Sequence, residues 1–147
     1  MRVGIFEIEH QRRAHQTSLA LRANEKDDPM SNDNTLARKH CGPCEGNVKP
    51  MPRELALALA AQVPRWAISA DGVRIRREWR VKDFVTGLDF FRRVGDVAEA
   101  EGHHPDLHLV SYRQVAIELW THAAGGLTEN DFILAAKIDE LPVELKA

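Results

Sequence analysis

The chain has 147 residues, 44% hydrophobic and 29% charged, values of an ordinary globular domain that exclude collagenous, wholly disordered and membrane-spanning classes. Twenty Lys+Arg against 22 Asp+Glu give a formal charge of -2. That balance lacks the basic surplus usual in proteins that bind nucleic acid through its phosphates, which supply most of the nonspecific affinity, so no direct nucleic-acid partner is expected. Its two cysteines, Cys41 and Cys44, cannot staple distant parts of a fold. The start of the chain has no continuous apolar stretch, Glu7 and Glu9 argue against a transit peptide, and the run from Leu55 to Ala61 is too short for a bilayer. A soluble, cytoplasmic protein without a membrane partner is the expectation.

In chain order, residues 1–50 show neither helical nor strand periodicity, and Asn24 to Asn34 is mostly polar. This region is expected to be a flexible extension, with Met30 offering an alternative start, followed by one domain over 51–147. Pro52 with Leu55, Leu59 and Val63 at four-residue spacing predicts a short helix ended by Pro64. Asp71-Gly72 between alternating segments predicts a hairpin with Ala70 opposite Val73, Ile68 opposite Ile75 and Trp66 opposite Arg77. Arg74, Arg76, Glu78 and Arg80 then face away from the apolar side, as a solvated face or one that holds an anion or partner. Asp83 caps a long helix with Phe84, Leu88, Phe91, Val94 and Ala98 on one stripe, stopping near Gly102.

A second strand pair covers roughly Leu107 to Val110 and Val115 to His122. Val115, Ile117, Leu119 and Thr121 share one face; Ala116, Glu118, Trp120 and His122 share the other. Thr128 with Asp131 resembles a capping box opening a last helix through Leu134, Ile138 and Leu141, ended by Pro142. The fold class is α+β, a four-stranded antiparallel sheet with three helices on one face in the order α-β-β-α-β-β-α.

Four of the seven histidines, His103, His104, His108 and His122, fall within 20 residues of one another. An imidazole exchanges protons near neutral pH, so the cluster suits acid/base work; the competing reading is surface histidines close by chance. Placement favours the first, because His103 and His104 sit at a helix-to-strand junction before Pro105 while His122 ends a strand. A zinc site is disfavoured: adjacent histidines rarely reach one metal, and no HExxH or paired CxxC is present. His108 alternates with Leu107 and Leu109 as the polar side of a hairpin. Cys41-Gly42-Pro43-Cys44 has the sequence of the thioredoxin redox site but lacks its βαβ context, and reads as two exposed or partly ordered thiols. Trp66, Trp79 and Trp120 read as core or interface residues, Trp120 sharing a face with His122.

Glu101-Gly102-His103-His104-Pro105, Tyr112, Thr121-His122, Gly126-Leu127 and Asp131, with the Lys82-Asp83-Phe84 helix start, resemble the pterin-4a-carbinolamine dehydratase family over roughly residues 50–141. The resemblance implies an enzyme that dehydrates 4a-hydroxytetrahydropterins such as 4a-hydroxytetrahydrobiopterin to quinonoid dihydropterins, serving aromatic amino acid hydroxylases in tetrahydrobiopterin recycling, with no metal or other cofactor. It further implies a homodimer or homotetramer and a pterin as substrate. By the same resemblance, His103, His104 and His122 form the catalytic set, His103 and His122 being the acid/base pair and His104 mainly a binding residue. Pro105, Trp120, Thr121, Asp131 and Glu101 bind substrate or support the site. Gly102 and Leu107 depart from the animal members, which carry an acidic residue and an aromatic there. Two other functions stand beside the enzyme: a non-enzymatic dimerisation module for a homeodomain transcription factor, and a pterin-related role near molybdenum cofactor metabolism.

Overall fold

The computed structural model describes residues 35–147, so the polar stretch before residue 35 and the alternative start at Met30 lie outside the described residues. Three helices, α1 (Arg53–Ala60), α2 (Phe84–Glu101) and α3 (Glu129–Asp139), accompany four strands, β1 (Ala67–Ile68), β2 (Ile75–Arg80), β3 (Asp106–Val110) and β4 (Gln114–Leu119). The strands form one antiparallel sheet in the order β1-β2-β4-β3, as the α+β reading requires. Two short 3-10 turns, Thr35–Arg38 and His122–Ala124, complete the elements.

The hairpin register holds, with Ile68 opposite Ile75 and Ala67 opposite Arg76. Its turn differs from a two-residue Asp-Gly connection. Gly72 N–H closes a turn onto the Ser69 carbonyl (2.9 Å), and Gly72 takes φ 74°. The Asp71 carboxylate accepts from Val73 N–H and the Ser69 hydroxyl, so the Asx interaction at this site wins over the tight turn and leaves β1 two residues long.

Odd-numbered β4 residues Val115, Ile117 and Leu119, with Ile75 and Trp79 of β2, point into the core against the helices. Trp79 packs edge-on to both Trp66 and Phe90, at ring-centroid distances of 5.8 and 5.2 Å. The stripe of α2 is rotated from the expected one: Gly87, Phe90, Val94 and Ala98 are buried, while Phe84 and Leu88 are exposed and Phe91 is half-buried. Gly87 lies on that buried face, where a Cβ would stand 3.2 Å from Leu109 Cδ1, so glycine lets the helix sit close to β3 without displacing that side chain. In α1, Ala56 is buried and Leu55 exposed, because the short helix meets α3 along a single edge. Helix α3 is covered on almost every side, and Leu36, within the region expected as an extension, joins its core at 1% exposure.

Asp83 caps α2 by accepting from Thr86 N–H (2.9 Å), and Gly102 ends it in the left-handed region at φ 63°. This C-cap aims the following histidine back at the helix: His103 N–H donates to the Ala98 carbonyl (3.1 Å). Replacing Gly102 by alanine is expected to destabilise the fold by about 1–2 kcal/mol. A lowered urea midpoint with an unchanged slope checks it.

Candidate active site

The end of α2, the turn after β4 and the start of α3 meet at one place, and each contributes a side chain for a local reason. The αL cap at Gly102 turns His103 inward, where its ring is 6% exposed. Strand β4 stops at Leu119, short of the expected His122, and Thr121 instead bridges to Gly126 around a tight 3-10 turn that carries His122. The capping box of α3 fixes Asp131, whose Oδ2 accepts from Thr128 N–H (2.8 Å).

Asp131 is completely buried and binds the three pieces together. Besides Thr128 N–H, it accepts from the Thr121 hydroxyl (3.0 Å) through Oδ2 and faces His103 Nε2 at 2.6 Å through Oδ1. Every neighbour can donate, the set an ionised carboxylate requires. The His103 proton is therefore placed on Nε2, leaving Nδ1 to offer a lone pair. The Thr128 hydroxyl lies 2.7 Å from Thr121 Oγ1 and, with that hydroxyl engaged on Asp131, supplies the proton of their mutual bond.

A cavity of about 240 Å³ opens beside this network, lined by Cys44, Gly102, His103, His104, Thr121, His122 and Ala123. His103 is the inner histidine. His104 is exposed and pairs with Glu99 (2.7 Å). His122 is exposed, and its ring lies over Trp120 at a centroid distance of 3.8 Å. Trp120 is itself fixed by its indole N–H on Asp106 (3.0 Å) and by the Arg74 guanidinium above its ring. Of the other residues expected at the site, Thr121 reaches the cavity, Asp131 and Trp120 stand behind its histidines, and Pro105 does not line it.

Glu101 points the other way, into the packing between α2, α3 and residues 39–41. Burial pushes its pKa up, but Lys137 Nζ (2.7 Å) and Cys41 N–H (2.8 Å) outweigh burial and hold it below the usual carboxylate range. Burial, then the nearby Glu101 carboxylate, pushes the Cys41 thiol up to about 12. Cys44, set aside on sequence grounds as an exposed or partly ordered thiol, is half-buried in the cavity wall. Local sequence carries no signal of that position, because the contacts holding Cys44 come from residues far along the chain.

On the far face of the sheet, Glu118 accepts from Arg76 (3.0 Å), Arg74 (3.2 Å) and His108 (3.4 Å). Burial raises its pKa, and these bonds more than reverse the effect. The basic run after Val73 is thus largely neutralised internally, with Arg77 on Asp139 and Lys82 on Glu144. Among the described residues, no three His, Cys, Asp or Glu side chains converge as a metal site, and no helix is long and apolar enough to cross a membrane.

Residues 49–141 match the family model described as Pterin 4 alpha carbinolamine dehydratase. The chain is 55% identical over 112 residues to pterin-4-alpha-carbinolamine dehydratase 2, mitochondrial, of Arabidopsis thaliana, covering 74% of this chain and 60% of that protein. A Methylococcus capsulatus protein provisionally named pterin-4-alpha-carbinolamine dehydratase is 44% identical over 110 residues, which cover 75% of this chain and 96% of the relative. The crystal structure of a transcriptional coactivator/pterin dehydratase from Brucella melitensis shares the fold at a TM-score of 0.58 and 26% identity, covering 62% of this chain and 96% of that one.

Two outcomes are expected from this geometry. Asp131→Ala, which strands buried donors of Thr128 and Thr121, should lower unfolding free energy by about 2–4 kcal/mol in urea titration. The raised Cys41 pKa means that the folded thiol keeps its proton at pH values where an unfolded chain, ionising near about 8.5, loses it. Stability should accordingly fall as pH rises from about 8.5 toward 12, more steeply for the wild type than for Cys41→Ala.

Proposed function

The chain belongs to the pterin-4-alpha-carbinolamine dehydratase family, a family of hydro-lyases, and on that premise we propose that it converts a 4a-hydroxytetrahydropterin to the quinonoid dihydropterin and water. The observation that carries this reading is the convergence of His103, His104 and His122 on one cavity, with His103 held by a buried carboxylate.

The reaction breaks the C4a–O bond and removes the proton on N5. The oxygen leaves with the bonding pair and, once protonated, departs as water; the N5–H electrons form the N5=C4a bond. One group must deliver a proton while another accepts one. With Nε2 directed at Asp131, His103 presents a lone pair at Nδ1 and can take up a proton whose positive charge the carboxylate stabilises, the logic of a histidine oriented by a carboxylate in acyl-transfer enzymes. His122, exposed at the rim and stacked on Trp120, acts as its partner at the departing hydroxyl. His104, tied to Glu99, binds and orients the substrate.

Service to an aromatic amino acid hydroxylase in tetrahydrobiopterin recycling, a cytoplasmic location and a homodimeric or homotetrameric assembly are part of the same proposal. The assembly is supported by β3, an edge strand with Leu107 and Val110 exposed, beside the exposed Phe84, Val85 and Leu88 of α2. The catalytic unit is proposed to reach beyond the expected limits of 51–147, because Leu36 lies in the core and Cys44 in the cavity wall.

Freshly generated 4a-hydroxytetrahydropterin, followed by absorbance against its spontaneous decay, tests the activity. His122→Ala should lower the enzymatic rate by about 10²–10⁴, as expected for loss of a general acid or base, with the fold unchanged by circular dichroism. No acceleration by folded wild-type protein would remove the dehydratase reading for this substrate and leave pterin binding without turnover, or a dimerisation role, to be separated by binding measurements.

A further inference from the structure

The structure assigns a role to the thiol nearest the candidate base: we propose that Cys44 is a positioning residue, bracketing His103 on its Nδ1 edge while Asp131 holds the Nε2 edge. Cys44 Sγ stands 4.0 Å from His103 Nδ1, opposite the 2.6 Å contact to Asp131. With the ring proton on Nε2, Nδ1 can only accept, and the Cys44 S–H, shared with the Gly42 carbonyl (3.7 Å), meets it only as a long contact that orients the ring in the free protein and yields Nδ1 to the substrate when it binds.

The segment presenting this thiol is built into the fold. Glu101, at the end of α2, accepts from Cys41 N–H (2.8 Å) and is itself paired with Lys137 of α3. Asn130, buried in the first turn of α3, clasps the other end: its Oδ1 accepts from Gly42 N–H (3.0 Å), and its Nδ2 donates to the Gly42 carbonyl and to Cys44 Sγ (2.8 Å each). Asn130 and Asp131 are consecutive. One helical turn therefore fixes both groups that flank the His103 ring, and a shift of that turn moves them together. Glu101, expected to bind substrate or to support the site, would support it through this segment.

The kinetic consequence rests on the dehydratase reading, whereas the geometric claim does not, so the test reads both. In protein carrying ¹⁵N-histidine, wild-type His103 should show one fixed tautomer with the proton on Nε2. Cys44→Ala and Cys44→Val, the second keeping bulk without a donor, should both move and broaden the Nδ1 signal, and Cys44→Ser should restore it. Turnover should fall about 3- to 10-fold in the Ala and Val variants, the range for one lost hydrogen bond, mainly in kcat, with recovery in the Ser variant. Unchanged His103 signals in both Ala and Val variants would overturn the proposal, as would a Val variant indistinguishable from Ser. If the wild type turns over no pterin while the signals respond as stated, the dehydratase reading falls and the bracketing role stands.

Discussion

The buried carboxylate of Asp131 is the constraint on which the rest of the site depends. A charged group with no exposure is tolerated only where hydrogen bonds replace its lost hydration, and here the replacements come from three separate parts of the chain. The oxygen that begins α3 also holds Thr121 after β4, and the other oxygen faces the His103 ring that the Gly102 cap turns inward. Folding energetics and site geometry thus share one set of bonds, because the contacts that satisfy the carboxylate are those that bring His103, Thr121 and α3 together.

The sheet contributes by keeping its two faces chemically distinct. Its inner face is apolar and holds the helices; its outer face is a network in which Arg74, Arg76 and His108 all reach the carboxylate of Glu118. Arg74 belongs to both worlds, since it reaches Glu118 and also covers Trp120, the platform under His122. Orientation of the outer histidine is therefore linked to the charge balance of a surface outside the cavity.

Much of this was legible in the residues. Ile68 and Ile75, Asp83, Gly102 and the Thr128/Asp131 pair announce their elements by rules that operate within a few residues, and the alternation of Val115, Ile117 and Leu119 announces the buried face. What was not legible depends on remote partners. The buried stripe of α2 includes Gly87 against Leu109 of β3, and the place of Leu36 in the core comes from its packing on a helix some ninety positions later. Cys44 is the clearest case, because its polar and unpatterned surroundings acquire order only through Glu101 and Asn130. The histidine set was legible as chemistry, from residue type and element ends, while the roles of inner and outer ring required the burial of one and the exposure of the other.

Helix α3 has solvent access along almost none of its length. An element enclosed in this way cannot open without losing most of the core, so its amides exchange with solvent only through opening that approaches global unfolding. Asp131, and the ring it holds, share that persistence. His122 rides on a three-residue turn at the surface and answers to faster, local motion. The cavity thus sets an inner ring tied to the least accessible helix against an outer ring carried on a short surface turn.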